Sequence, residues 1–407
     1  MFRYFLGKSF LNISFVGAGN VVNTILGFVF LAALTRSLSL EEFGKYALLA
    51  SLLIFAAKIT DFGTGSLFVA KAITKSDRHV FDTFASVRIV LFGVAAVVLL
   101  AALYALNLFE LPLVLISLFG LFAYLINFAT YSLFQRVQNY LMLILLNAVM
   151  AVIKFVFAIL ILTSVYTPTL VSAFAIFSLS VFPSLLLCFF LPKEFKKFSV
   201  SFKKVGSFLK ETFPGGFSQM VAEGWSALGN SIAKVTQGFS NVGIFSLADK
   251  ISSIFSLIAA SVFTVLLPKN AQRKSQRRKY DFKEAGVISV VILLLAGVGT
   301  IVAKILVPPI FGENFVESLA IINILLFANA LNAIYTFMEN YFFVEGKTKY
   351  LLWFPSSKLV LILMFSFLLV PRYGLPGLAW AQLITAAGTL LFAALTIKKI
   401  HREPLSF

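Results

Sequence analysis

The chain has 407 residues, 60% of them hydrophobic and 13% charged, with 47 phenylalanines and a formal net charge of +17. A soluble domain of this length cannot hide that much apolar surface, so most of it must face lipid or other helices. A single cysteine, Cys188, excludes a disulfide, and no ligand cluster has the spacing of a metal site.

A membrane span needs about 20 mostly apolar residues. On that rule the spans are expected at 9–35, 43–70, 84–108, 110–134, 140–164, 168–192, 207–235, 240–268, 285–308, 317–344, 350–371 and 374–399. Turns are expected at Pro112, Pro168, Pro192, Pro268, Pro308 with Pro309, and Pro371 with Gly374. No cleavage site precedes the first span, so insertion is expected to start with that helix. It carries Asn12, Asn20, Asn23 and Thr24, a wet side, and ends at Arg36.

The second span contains LLIFAAKITDFGTGSLFVAK, with Lys58 and Asp61 three residues apart on one helical face. A charge at the bilayer centre costs roughly 2.5–3.5 kcal/mol, so the two are expected to neutralise each other. In the fourth span Tyr124, Asn127, Tyr131 and Gln135 form a polar stripe. Lys154, mid-way through the fifth, has no acid within a turn or two of its own helix. It pairs with an acid from another helix or stands ready for an anion.

The seventh span places Gln219, Glu223, Ser226, Asn230 and Lys234 at steps of four, three, four and four, which is one stripe along a helix. In the eighth, Asp249 and Lys250 are expected to reach water. The tenth carries Asn329, Asn332, Thr336 and Glu339. Interhelical hydrogen bonding explains any one of these polar residues. Four stripes together point to a hydrated cavity. Within or near the spans, Lys58, Arg88, Lys154, Lys234, Lys250, Lys304 and Lys358 stand against Asp61, Glu223, Asp249 and Glu339, a surplus of three cations.

Alternate loops hold KAITKSDR, FQR, PKEFKKFSVSFKKVGSFLK, PKNAQRKSQRRKYDFK and VEGKTK, whereas NLFELP, SVYTPT and PPIFGENF contain no Lys or Arg. Cationic loops stay inside, so both termini are expected in the cytoplasm. The excess charge thus lies beside the membrane, attracts anionic lipid headgroups, and argues against nucleic-acid binding. The basic segment 193–206 divides the spans into an N-terminal bundle, 1–192, and a C-terminal bundle, 207–407. LTRSLSLEEFGKYALLASLL and AKVTQGFSNVGIFSLADKIS echo each other at the first turn of each half.

The stretches TRSLSLEEFGKYALL, DFGTGSLFVAK, NVGIFSLADKISSIFSLIAASVFTVLLPKNAQR and RYGLPGLAWAQLITAAG resemble the O-antigen type polysaccharide flippases. These belong to the multidrug/oligosaccharidyl-lipid/polysaccharide (MOP) exporter superfamily. The resemblance implies an all-α integral membrane protein of about twelve transmembrane helices in two pseudo-symmetric six-helix bundles around a central cavity, a MATE-like fold. It implies a plasma-membrane flippase that moves a polyprenyl-pyrophosphate-linked oligosaccharide to the outer leaflet, with polysaccharide assembly proteins as further partners and no cofactor. On that reading Arg36, Lys58, Lys154, Asn20, Asn23, Gln219, Asn230, Lys234 and Asn332 are candidates to line the substrate cavity. Glu223, Asp61 and Glu339 are candidates to couple transport to a proton or sodium ion.

A drug exporter of the same superfamily is the runner-up, although its cationic cargo suits an acidic cavity better than a net positive one. A glycan polymerase or ligase needs a positioned acid, base or metal, and no histidine falls within an expected span. A pure scaffold has no use for buried charge. The topology is testable: cysteines at Ser164 and Pro309 should label from outside intact cells, and those at Ser201 and Ser275 only after permeabilisation. Labelling at Ser275 in intact cells inverts the orientation.

Overall fold

The computed structural model describes residues 2–74, 78–195, 199–256, 282–345 and 349–402, with isolated positions between 259 and 280 and at 347. Side chains at 2–18, 20, 70–74, 78, 79, 283, 284, 343, 401 and 402 fall outside that description. Among the described residues every regular element is helical.

The residues cluster into two compact units, Met1–Ala227 and Leu228–Phe407. The first contains α1 (Phe2–Ser37), α2 (Leu40–Asp61), α3 (Thr64–Thr74), α4 (Arg78–Ala105), α5 (Leu111–Arg136), α6 (Tyr140–Leu162), α7 (Leu170–Leu179) and α8 (Val205–Glu223). A 3-10 stretch, Phe182–Phe190, continues α7. After α9 (Trp225–Gln237), which crosses the division, come α10 (Phe239–Ser252), α11 (Phe282–Phe311), α12 (Ser318–Val344) and α13 (Tyr350–Arg402).

Eight described stretches are long and apolar enough to cross a membrane, and one of them, Tyr350–Ile400, has 51 residues, length for two spans. Expected spans eleven and twelve lie in it end to end. The chain there runs helical past Pro371 and bends at Gly374, at φ 60° and ψ −137°. Likewise α11 continues through Pro308 and Pro309 to Phe311, and stops at Gly312 with φ 95°. The turn expected at Pro371 with Gly374 thus falls on Gly374, and the one expected at Pro308 with Pro309 is displaced to Gly312. A proline removes one helical N–H bond but need not end a helix when neighbouring spans hold it, whereas a positive φ cannot be helical.

Local sequence explains the entries. Ser39 begins α2 with a reciprocal cap: its hydroxyl accepts from the Glu42 amide at 3.3 Å, and its own amide donates to the Glu42 carboxylate at 3.2 Å. That box lies inside LSLEEF, and Gly238 opens α10 at the corresponding turn of the second half, with φ 85°. On α11, Val287, Val291, Leu294, Val298, Ile301 and Ile305 are exposed, a stripe for lipid. Ala296 and Ala303 are buried, and Gly299 faces Leu326 of α12. Small residues four and three apart let the two helices approach closely.

Helix α8 packs on α2, α3 and α4, which is why it clusters with the first unit. Phe208 and Val205 join Val87 and Leu91 of α4 in one apolar cluster. Further along, backbone meets backbone: a Cβ on Gly63 would lie 3.1 Å from the Gly216 nitrogen, and one on Gly216 would run into the Phe62 carbonyl oxygen. Gly216→Ala should therefore cost about 1–3 kcal/mol by overpacking. Its neighbour Gly215 has nothing within 4 Å of a new Cβ, so Gly215→Ala should be nearly neutral. Melting of both variants in detergent checks the contrast, and equal losses would contradict the α2–α8 approach.

Candidate functional site

The site begins where the second span breaks. Helix α2 stops at Asp61 because Phe62 and Gly63 take positive φ values of 39° and 70°, and α3 restarts at Thr64. The Thr64 hydroxyl donates to the Asp61 carbonyl oxygen at 2.6 Å, and the Phe62 amide closes the last turn onto the Lys58 carbonyl at 2.9 Å. The sequence DFGTG thus breaks the helix within the candidate span Leu40–Val69, the stretch expected at 43–70.

The break corrects the expected pairing. Lys58 and Asp61 do share a face, but each takes another partner. Asp61 receives a charge-assisted hydrogen bond from the Arg88 Nη2 of α4. Lys58 Nζ lies 3.2 Å from the Glu223 carboxylate of α8 and 5.0 Å from the centroid of the Phe128 ring. The reason is burial. Arg88 is 2% exposed, and a buried charge left unpaired is the costliest arrangement available. Lys58 and Glu223, 21% and 42% exposed, form the wetter pair.

The guanidinium of Arg88 also reaches the Ser132 hydroxyl at 3.5 Å and covers the Phe84 ring at 4.6 Å. Phe84 in turn stacks on Phe68 of α3 at 4.4 Å. A Cβ at position 65 would lie 3.1 Å from the Asp61 carboxylate and 3.3 Å from Arg88 Nη2, so Gly65 leaves the room that the pair occupies. The Nε and Nη1 of Arg88 have no hydrogen-bond partner. Two ion pairs from three helices, α2, α4 and α8, therefore sit side by side, one sealed and one accessible.

The remaining candidates are spread more widely. Gln219 is half-buried on α8, one turn from Glu223. Lys154 of α6 lies over the Phe177 ring of α7 at 4.3 Å. Arg36 is exposed in the last turn of α1. Asn23 is half-buried with its Nδ2 unpartnered, and the side chain of Asn20 lies outside the described residues.

In the second unit, Asn230 is buried, and the neighbouring Gly229 would place a Cβ 3.2 Å from Nε2 of the buried Gln382. Lys234 sits over the Phe239 ring at 5.0 Å. Glu339 on α12 interacts electrostatically with Lys358 on α13, beside Tyr335. Asn332 is half-buried on the same helix, and its carbonyl accepts from the Thr336 hydroxyl at 3.1 Å.

Two expectations change here. Asn127 is 1% exposed and donates to the Ser184 hydroxyl at 2.9 Å, and Asn329 donates to Ser252 at 2.9 Å. Those members of the fourth- and tenth-span stripes join helices rather than line water. Asp249, expected to reach water, is buried, because α10 turns most of its length toward neighbouring helices. Arg88 was legible as a membrane cation but not as a partner of Asp61. The signal that identifies it is the DFG turn, which frees Asp61 from its own helix.

The two pairs should respond differently to neutralisation. Asp61→Asn leaves the Arg88 charge buried without its counter-charge and should cost about 3–5 kcal/mol. Glu223→Gln breaks a half-exposed pair and should cost about 1 kcal/mol or less. Thermal melting in detergent separates them, and equal losses would contradict the division into sealed and accessible pairs.

The family described as "Polysaccharide biosynthesis protein" matches residues 10–274. The capsular polysaccharide biosynthesis protein CapF of Staphylococcus aureus is 22% identical over 377 residues, covering 90% of this chain and 94% of the relative. The lipid II flippase MurJ in its inward closed conformation is similar with a TM-score of 0.75 at 16% identity, over 94% of this chain and 87% of that one. An inward-facing multidrug resistance MATE family transporter of the MOP superfamily gives 0.73 at 16%, over 95% and 96%. Likeness at such low identity carries the fold, and the fold is that of the MOP exporters. With its sequence matched over more than half its length, the chain is a multi-pass membrane protein that belongs to the polysaccharide biosynthesis protein family.

Proposed function

We propose that the protein is a flippase that moves a polyprenyl-pyrophosphate-linked oligosaccharide from the cytoplasmic to the outer leaflet of the plasma membrane, by ion-coupled alternating access. Both termini face the cytoplasm on this reading, the six-span halves divided at 193–206 are the moving parts, and no covalent chemistry occurs. The family match and the capsular relative support the substrate class. The fold likeness to a multidrug transporter favours a second reading, a small-molecule exporter, but the surplus of membrane cations suits an anionic cargo better.

The observation that carries the mechanism is the accessible Lys58–Glu223 pair. A pyrophosphate and Glu223 are both anions, so they compete for one ammonium. When Glu223 takes a proton or sodium ion, Lys58 is released as a point charge for the phosphate. When the ion leaves, Glu223 reclaims Lys58 and the cargo loses its hold. Lys154 and Arg36 are further stations for the headgroup, and Gln219 and Asn23 offer hydrogen bonds to its sugars. The sealed Asp61–Arg88 pair keeps the helix end beneath Lys58 in place while the accessible pair exchanges partners.

This exchange fixes the outcome of two substitutions in liposomes loaded with lipid-linked oligosaccharide. Glu223→Gln should fold, still translocate cargo, and lose the dependence of transport on the ion gradient. Lys58→Gln should lose cargo affinity on the order of tenfold, the effect of one charge-assisted contact of about 1.4 kcal/mol. Wild-type gradient dependence in Glu223→Gln would sink the coupling role, and unchanged cargo binding in Lys58→Gln would remove Lys58 from the site.

A further inference from the structure

The segment joining the sixth and seventh spans is tied down by its main chain. The Asp82 carboxylate of α4 accepts from the Ser199 amide at 2.8 Å and from the Ser199 hydroxyl at 2.7 Å. One turn further along, the Ser86 hydroxyl oxygen accepts from the Ser201 amide at 2.8 Å. Asp82 and Ser86 are four apart on one helical face, whereas Ser199 and Ser201 are two apart, the alternation of an extended chain. On the near side, Arg136 covers the Phe195 ring at 4.8 Å, and Phe195 is buried with Phe81 and Phe134. On the far side, Val205 and Phe208 hold α8 against α4.

Pinning the odd-numbered residues turns the even-numbered ones away. Val200 and Phe202 are 52% and 60% exposed. Asp82 lies only two residues into the apolar stretch that starts at Val80, about 3 Å along the helix axis. The two apolar side chains are therefore held at the level where the spans begin. Lys203 and Lys204 follow them, and Lys193 and Lys210 flank the segment, all four exposed, against exposed Glu194 and Glu211. A net positive strap with outward apolar side chains at that depth matches the boundary of an anionic bilayer. Apolar groups enter the acyl edge there, and lysines reach the headgroup phosphates.

We infer that the strap 199–204 is an interfacial anchor that docks on anionic phospholipid of the cytoplasmic leaflet, held in its docking geometry by Asp82 and Ser86. The inference rests on the multi-pass placement and the inside assignment of the basic loops, and on neither the cargo nor the coupling ion.

The test uses the full chain in a Cys188→Ser background, with a nitroxide label on Phe202→Cys and, as the aqueous reference, on Glu194→Cys. Accessibility to oxygen and to a water-soluble nickel chelate is compared in phosphatidylcholine vesicles and in vesicles rich in phosphatidylglycerol. The label at 202 should favour oxygen and exclude the chelate relative to 194, more strongly in the anionic vesicles. Lys203→Gln with Lys204→Gln should return chelate access in the anionic vesicles only, two such lysines shifting partition by about thirtyfold. Asp82→Asn should return it in both vesicle types, since the strap itself is released. Equal chelate access at 202 and 194, or protection at 202 that appears only when cell extract is added, would overturn the lipid anchor. Indifference to both lysine changes would overturn its anionic character. Oligosaccharide translocation is scored separately in the same vesicles, so loss of the flippase reading leaves this result standing.

Discussion

Arg88 carries a full charge into α4 some way below the start of its apolar stretch, and much of the first unit follows from holding that charge. Its carboxylate comes from the end of a broken helix, its flat face lies on Phe84, and Phe84 lies on Phe68 of the helix that restarts beyond the break. Glycine at 65 leaves room for the pair, and the left-handed turn at Phe62 and Gly63 puts main chain against α8. Once Asp61 is committed to Arg88, Lys58 is left to Glu223. The Lys58–Glu223 pair is thus a consequence of the Asp61–Arg88 pair. Neutralising Asp61 disturbs the helix end, whereas neutralising Glu223 breaks a half-exposed contact.

Most of the membrane architecture could be read in the sequence because it follows from quantities local to one helix. Apolar length marked the eight described stretches that are long and apolar enough to cross a membrane, and loop charge gave a sidedness to test. Periodicity also put Glu223, Asn230 and Lys234 on one stripe of an expected seventh span, whereas α8 ends at Glu223 and a new helix, α9, begins at Trp225. What it could not show was partnership. Lys58 and Asp61 are three apart, so a reading confined to their own helix joins them, but in a bundle the competing charges arrive from other spans, residues 88 and 223. The same limitation made Asn127 look like a cavity residue when its amide is bound to Ser184.

The breaks show a second limit. Proline is an obvious signal, yet α11 continues through Pro308 and Pro309 and ends at Gly312, and of the expected pair Pro371 with Gly374 only the glycine bends the chain. The second span breaks without any proline. A glycine that takes positive φ looks the same in sequence as one that permits close packing, such as Gly299, and only the path of the chain separates them.

The approach of Gly63 to Gly216 is made by main-chain atoms. Contacts of that kind do not depend on which side chains surround them, provided that the glycines stay. Side chains around this approach can therefore change without re-engineering the joint between the helices. The joint is written in peptide groups, so it can persist while the side chains around it diversify.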